Sequence, residues 1–536
     1  MLLCCAAASV YGQNVPQGSS TRISTANGIV EGVTEISGTR SFKGIPFAAP
    51  PVGALRWKEP QPVKNWTGIR KADHFGNRGM QKPIYGDMGF RADSVSEDCL
   101  YLNVWTPAKV TSKKLPVLVY FYGGGLMAGD GSEPRYDGES LAKKGIVVLT
   151  VNYRLGIFGF MAHPELSKES GHNASGNYGL LDQNAALRWV KANIAAFNGD
   201  PARITIAGES AGSISVFAQM ASPLSRGLIA GAIGESGAMI KPTLAPVPLL
   251  EAENRGLAFG KKIGALSIAE LRKIPAAQLL DLAFKNEMIS VPATVDGYFL
   301  PELPVKTFAL GKQAHVPLLV GWNSAEVSYA ALLKSQAPTP ENYTRVISEL
   351  YPDKTETVLK LYPGANADEV IESATALASD RFIVYSTWKW ADLHSQTGKK
   401  PVYRYLFSKS KPAMTASMKG AVPGLAGGIT KGTTAGPKPV SAPGAPHAFE
   451  IEYALGNLHY NKVYAWTAED EKISATMLGY FAGFIKTGNP NAANLPAWPE
   501  MTSGNKINYI NIGVDTKAAV EKNSERYRFL DQEYQK

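Results

Sequence analysis

The stretch "IAGESAGSISV" at 206–216 decides how the rest of the chain is read. It holds Gly208-Glu209-Ser210-Ala211-Gly212, a G-x-S-x-G pattern. That pattern puts a serine at the apex of a sharp turn from strand to helix, where its backbone angles are strained. Glycines two before and two after the serine are needed because side chains there would collide across the turn. The context fits: "RITIA" reads as a short buried strand and "SISVFAQM" is compatible with a helix. Gly-Glu-Ser recurs in "IGESGAMI" at 233–240, but Ala238 stands where the second glycine should be. On spacing, Ser210 is the candidate nucleophile and Ser236 the decoy.

Outward from this turn, "KLPVLVYFYGGGL" and "GIVVLTVNYRLG" are apolar strands upstream. "LLDQNAALRWVKANIAAF" carries Leu180, Leu187, Val190, Ile194 and Phe197 at helical spacing, and "NGDP" ends it. "LIAGAIGES" and "VPLLVGWN" read as two further strands downstream, and residues 17–50 as short strands and turns. Strands alternating with helices predict an α/β fold around a large, mostly parallel sheet. Residues 245–290 and 330–395 are helix-rich and predict a cap or helical layer over it.

A serine at its ordinary pKa is a poor nucleophile; it needs a base, an orienting acid and donors for an oxyanion. "YGGG" at 122–125 ends a buried strand, and glycines let backbone N–H groups approach a substrate oxygen without side-chain clash. The predicted oxyanion hole is the N–H groups of Gly124, Gly125 and Ala211. With the partners in the order serine, acid, histidine, the histidines downstream are His394, His447 and His459. His394 reads as a surface residue at a helix end and His459 as one in a polar turn. His447, in "GAPHAFEIEYALG", sits where a Pro/Gly-rich loop meets an apolar segment, the better place for a base. Glu326, just after the strand in "PLLVGWNSAEVS", is the candidate acid.

With these parts in place the chain resembles the type-B carboxylesterases of the α/β-hydrolase superfamily, the group that includes the cholinesterases. The resemblance runs from about Thr21 to near the C-terminus. It rests on "FKGIPFAAPPVGALRWKEPQP", "SEDCLYLNVWTP", "YGGGL", "GNYGLLDQNAALRWVKANIAAFNGDP" and "ITIAGESAGS", in that order and spacing. It implies one α/β-hydrolase catalytic domain over residues 21–536. It implies that Ser236 hydrogen-bonds near the acid and the histidine, and that Glu209 is a buried acid beside the nucleophile. The family's acid motif ends in Asp-Glu-Gly where this chain has Ala325-Glu326-Val327, and its His-Gly is His447-Ala448 here. The family pairs the cysteine of its "EDCLYLN" signature with one upstream. Here that position reads Gly79, so Cys99 is expected to be a free, buried thiol. No tryptophan lies between Gly79 and Cys99, which argues against a choline ester. A non-catalytic binding module on the same scaffold is the alternative of another class, and such a member should lack the nucleophile or the histidine.

Bulk properties narrow the partners. No apolar run reaches the roughly 18 residues of a membrane-spanning helix. The net charge is +9, but there is no Lys/Arg-rich block and no nucleic-acid motif, so nucleic acid is not an expected partner. No Cys/His cluster is present to hold a metal, and no cofactor is expected. Nothing in the sequence signals an oligomeric state. Residues 1–20, opening "MLLCCAAASVYG", resemble the apolar and cleavage regions of a signal peptide without the basic leading region. A secreted or periplasmic location is the expectation, with the true start further upstream. From Ser410 to Pro446 the chain is built mostly of Gly, Pro, Ala, Ser and Thr, has no aromatic residue, and carries Lys411, Lys419, Lys431 and Lys438 and no carboxylate. Charges within about 8–10 Å of a site attract an anion at physiological salt. A lysine-bearing loop directly before His447 therefore points to an ester whose acyl part carries extra carboxylates. Within the family, esterases that remove tricarballylic acid from fumonisin-type toxins are one such case. Aromatic acyl esters, of feruloyl or phthalate type, or a general carboxylesterase range, are the competing expectation.

Overall fold

The apolar runs around the Gly-Glu-Ser turn become the middle of an eleven-stranded sheet in the computed structural model, which describes residues 21–109, 112–418, 421–430, 444–502 and 507–535. The leader-like segment 1–20 and the side chains of Lys419, Lys431 and Lys438 lie outside the described residues. From one edge the strands are Lys517–Val520, Asn508–Ile512, Val402–Phe407, Leu318–Asn323, Gly231–Glu235, Gly199–Glu209, Leu115–Phe121, Val147–Val151, Tyr101–Thr106, Arg40–Pro46 and Val33–Thr34. Pairing is parallel from Val147–Val151 through to Asn508–Ile512 and antiparallel at both margins. Parallel strands are covered on both faces, which is why they read as continuous apolar runs; every residue of Val147–Val151 and Leu318–Asn323 is buried.

The order of the central strands positions the site. Leu115–Phe121 lies between Gly199–Glu209 and Val147–Val151, so the chain switches direction there. Ligand crevices in open α/β sheets form outside the carboxyl ends of the strands at such a point. Phe121 pairs with Gly208, Glu209 with Glu235, and Glu235 with Gly321. The turns after four neighbouring strands therefore open side by side. The helix Ala211–Ala221 that follows the serine is buried on every side, as a helix in the core of a large protein is.

The two helix-rich regions are helical as expected. Leu249–Ile263, Ile268–Lys273 and Ala276–Lys285 pack on a separate apolar cluster with Trp57, Phe158 and Met161. Between the helices Ala367–Ser379 and Tyr385–Thr397 the chain makes a π-helical turn, Asp380–Val384.

His394 corrects a reading from sequence. It is not a surface residue: its ring is fully buried in Tyr385–Thr397. Nδ1 lies 3.2 Å from Gln313 Nε2, and Nε2 lies 2.9 Å from the Val316 carbonyl. The neutral tautomer with the proton on Nε2 satisfies both contacts. Burial pushes its pKa down to about 4. Cys99 is a free, buried thiol, as expected. A Cβ added at Gly79 would stand 3.7 Å from its Sγ.

Candidate active site

Ser210 follows the strand Gly199–Glu209 and caps the helix Ala211–Ala221. Its backbone is at φ 55°, ψ −120°, in a region a serine rarely occupies. The turn holds it there: its N–H donates to the Glu235 carbonyl at 2.8 Å, and its own carbonyl accepts from Ile214 N–H at 2.9 Å. The glycine requirement has a measurable cause. A Cβ at Gly212 would fall 2.0 Å from the Phe121 carbonyl oxygen, and one at Gly208 would fall 2.5 Å from the Gly212 carbonyl carbon. Neither position can hold a side chain without moving the neighbouring strand.

Three side chains from three distant segments meet at this turn. His447 Nε2 lies 2.9 Å from Ser210 Oγ, and its Nδ1 lies 2.6 Å from Glu326 Oε2. The other oxygen of Glu326 accepts from the Asn323 N–H at 2.7 Å and from Ser236 Oγ at 2.6 Å. The His447 N–H donates to the Glu326 carbonyl at 3.1 Å, which ties the two loops together through the backbone as well. His447 and Glu326 are both buried. In this geometry Nδ1–H donates to the carboxylate and the free lone pair of Nε2 faces the serine hydroxyl. Ser236, with φ 54°, makes the second sharp turn that the repeated Gly-Glu-Ser suggests, but it is fully buried and its hydroxyl serves Glu326.

Glu209 packs behind the histidine. Its Oε1 is 3.3 Å from His447 Nε2 and makes no hydrogen bond. Burial pushes this carboxyl well above the usual range, against the pull of the Arg135 guanidinium; Glu326 and Glu235 add repulsion. Burial likewise raises Glu235 to about 8 and Glu133 to about 7. Gly124 at φ 110° and Gly125 at φ 66° form the turn after Leu115–Phe121. Their N–H groups and that of Ala211 find no acceptor among the described residues.

Ser210 and His447 open into a cavity of about 190 Å³. Its walls are largely apolar, with Met88, Ile214, Phe382, Ile383 and Leu425 among them. The π-helical turn supplies Phe382 and Ile383, and the Phe382 ring meets the His447 ring edge-on at 5.1 Å. The Gly/Pro-rich segment reaches the cavity too. Val422–Pro423 pairs with Ile429–Thr430 as a short hairpin, and its tip residues Leu425 and Ala426 form part of the wall. Three side chains fasten that tip: Asp87 accepts from Gly428 N–H at 3.2 Å, Asn461 donates to the Gly427 carbonyl at 3.0 Å, and Arg135 Nη1 donates to the Ala426 carbonyl at 2.8 Å. The loop thus arrives where its position before His447 suggests, but it presents apolar groups. Lys411 does not line the cavity; it lies over the rings of Phe449 and Tyr464, each at 5.3 Å. Among the described residues the one Lys or Arg in the wall is Arg135. Sequence reasoning missed Arg135, Phe382 and the hairpin tip. They are single residues in a loop, a helical region and a low-complexity segment, and only the fold brings them to one place.

The carboxylesterase family profile matches residues 19–530. The chain is 36% identical to a fumonisin B1 esterase of Sphingopyxis macrogoltabida, covering 90% of this chain and 85% of that one. It is 34% identical to the para-nitrobenzyl esterase of Bacillus subtilis (strain 168), covering 90% and 93%. A solved structure of a PNB esterase superposes with a TM-score of 0.77 at 30% identity, over 95% of this chain and 99% of that one. Family match, relatives and fold agree: this chain belongs to the carboxylesterase family and is a carboxylic ester hydrolase with an α/β-hydrolase fold.

Proposed function

We propose that the hydrolase works through a Ser210–His447–Glu326 triad and an acyl-enzyme. The observation that carries this reading is the chain of hydrogen bonds from Ser210 Oγ through the His447 ring to Glu326. Ser210 Oγ attacks the ester carbonyl carbon as its proton passes to His447 Nε2. Glu326 holds the ring in orientation and stabilises the imidazolium. The oxyanion of the tetrahedral intermediate accepts from the N–H groups of Gly124, Gly125 and Ala211, each worth roughly 3 kcal/mol of barrier. The bond to the alcohol oxygen then breaks, and the alcohol leaves with the proton held on His447. Water attacks the acyl-serine by the same route, which releases the acid and restores Ser210.

For the substrate, the reading is an ester whose acyl part carries additional carboxylates, of the kind tricarballylate esters of fumonisin-type toxins present. Support comes from the relative named as a fumonisin B1 esterase and from Arg135, the one Lys or Arg in the cavity wall among the described residues. The first test is hydrolysis of p-nitrophenyl butyrate by wild type and Ser210→Ala. Loss of activity by roughly 10⁴-fold or more is expected in the variant. A Ser210→Ala protein that keeps wild-type turnover overturns the mechanism.

A further inference from the structure

Arg135 stands between two cavities. It lines the catalytic one, about 190 Å³, and a second of about 170 Å³ on the far side of the hairpin tip. Arg135 and Ala426 belong to both walls, so together they form the partition. The side chain is buried, at 6% exposure. Burying a cation is costly, and such a group is normally fully engaged. This one is not. Nε faces Glu133 Oε2 at 3.2 Å, Nη1 donates to the Ala426 carbonyl at 2.8 Å, and Nη2 donates to Tyr136 Oη at 2.9 Å. A guanidinium has five N–H groups, two on each terminal nitrogen. One donor on Nη1 and one on Nη2 therefore remain without an acceptor among the described residues. A donor on each terminal nitrogen is the pair that takes a carboxylate in fork-to-fork fashion.

Resting on the polycarboxylate-ester reading above, we propose that Arg135 is the specificity-determining residue of this site and receives a free carboxylate of the substrate's acyl part. The acyl chain lies in the apolar catalytic cavity with its ester carbonyl at Ser210, and its carboxylate reaches the partition. The second cavity has Asn461 and Lys462 in its wall but also Asp87, Glu133 and Glu452, so the carboxylate is received at the partition and not beyond it. The acids nearby do not forbid an anion. Burial pushes Glu133, Glu209 and Glu452 all upward, which weakens the repulsion an arriving carboxylate meets. Lysine could not substitute fully, because an ammonium is a point charge without the planar fork.

The test compares monoethyl tricarballylate, esterified on a terminal carboxyl, with the same ethyl ester bearing carboxamides at the two other positions. Acid release is followed in a pH-stat for wild type, Arg135→Gln and Arg135→Lys. Wild type is expected to favour the diacid in kcat/KM by about tenfold or more, the scale of a charge-assisted pair. Arg135→Gln is expected to collapse that ratio, chiefly through KM, and Arg135→Lys to restore part of it. A second measurement needs no variant: tricarballylate should inhibit wild-type hydrolysis of p-nitrophenyl butyrate competitively, and propane-1,2,3-tricarboxamide should not. A wild-type preference that survives in Arg135→Gln overturns the assignment of Arg135 and leaves the substrate reading standing. A wild-type ratio near one with no inhibition by tricarballylate overturns both, while Ser210-dependent cleavage of the butyrate would still stand.

Discussion

Ala448 follows His447 directly and holds φ at 61°. An L-residue with a Cβ pays about 1–2 kcal/mol in that region, and glycine pays nothing for it. The chain tolerates the strain because both neighbours are fixed. His447 is anchored to Glu326 on one side, and the buried ring of Phe449 packs against Tyr453 and Trp466 on the other. Ala448→Gly removes the strain but gives the unfolded chain more freedom, which takes back about 0.4–1 kcal/mol. The expected outcome is a net gain of up to about 1.6 kcal/mol in urea unfolding. A loss of stability would mean that the methyl group in the cavity wall matters more than the backbone. Ser210 shares the positive φ, and its half-buried hydroxyl faces the cavity beside His447.

The elements divide by how local their signals are. The central strands were legible because parallel strands buried on both faces leave continuous apolar runs, and the elbow because two backbone contacts demand Gly208 and Gly212. His394 was misread because a helix end is usually wet; here Gln313 and Val316, from a distant segment, cover it. The π-helical turn that carries Phe382 left no sequence signal at all. Cys99 offers a test of placement at this scale. A Cβ at Gly79, in the two-residue strand Arg78–Gly79, would stand 3.3 Å from the Tyr153 carbonyl oxygen, a tight contact that the backbone there must relax slightly to accept. That Cβ would lie 3.7 Å from Cys99 Sγ, within reach of a disulfide after a small side-chain rotation. Gly79→Cys is expected to cross-link under oxidation and to raise stability by about 3 kcal/mol on the chain-entropy argument for a loop of roughly 20 residues. Thiol titration of the denatured protein reads the bond, and reductant should abolish the gain. With Cys4 and Cys5 the variant chain has four thiols; four still free after oxidation would show that the backbones approach at the wrong angle, and two free would show the bond.

At the scale of the whole molecule the interior is unusually acidic, and no single stretch of sequence announces it, because the carboxyls come from strands and loops far apart in the chain. Burial raises Asp130 to about 6, Glu133 and Asp380 to about 7 and Glu235 to about 8. Each native group then keeps a proton that the unfolded chain has released, so the folded state binds more protons across this window. Stability present below the unfolded carboxylate pKa is lost as pH rises through the folded values. His394, pushed down to about 4, works the other way: it is neutral in the fold and charged in the unfolded chain below about 6.5, so its contribution is lost as pH falls toward 4. Four acids outweigh one imidazole between pH 5 and 7, and thermal stability should decline from mildly acidic toward alkaline pH. Asp380 isolates the effect. Its Oδ2 accepts from Tyr362 Oη at 2.8 Å, a bond that an asparagine oxygen can also accept. Asp380→Asn is expected to flatten the dependence of unfolding free energy on pH between 5 and 7 by up to one proton, about 1.4 kcal/mol per pH unit. Identical slopes in wild type and variant would mean that Asp380 is already ionised in the fold and that its burial is compensated, with Arg526 the nearest candidate because its charge pulls this carboxyl down.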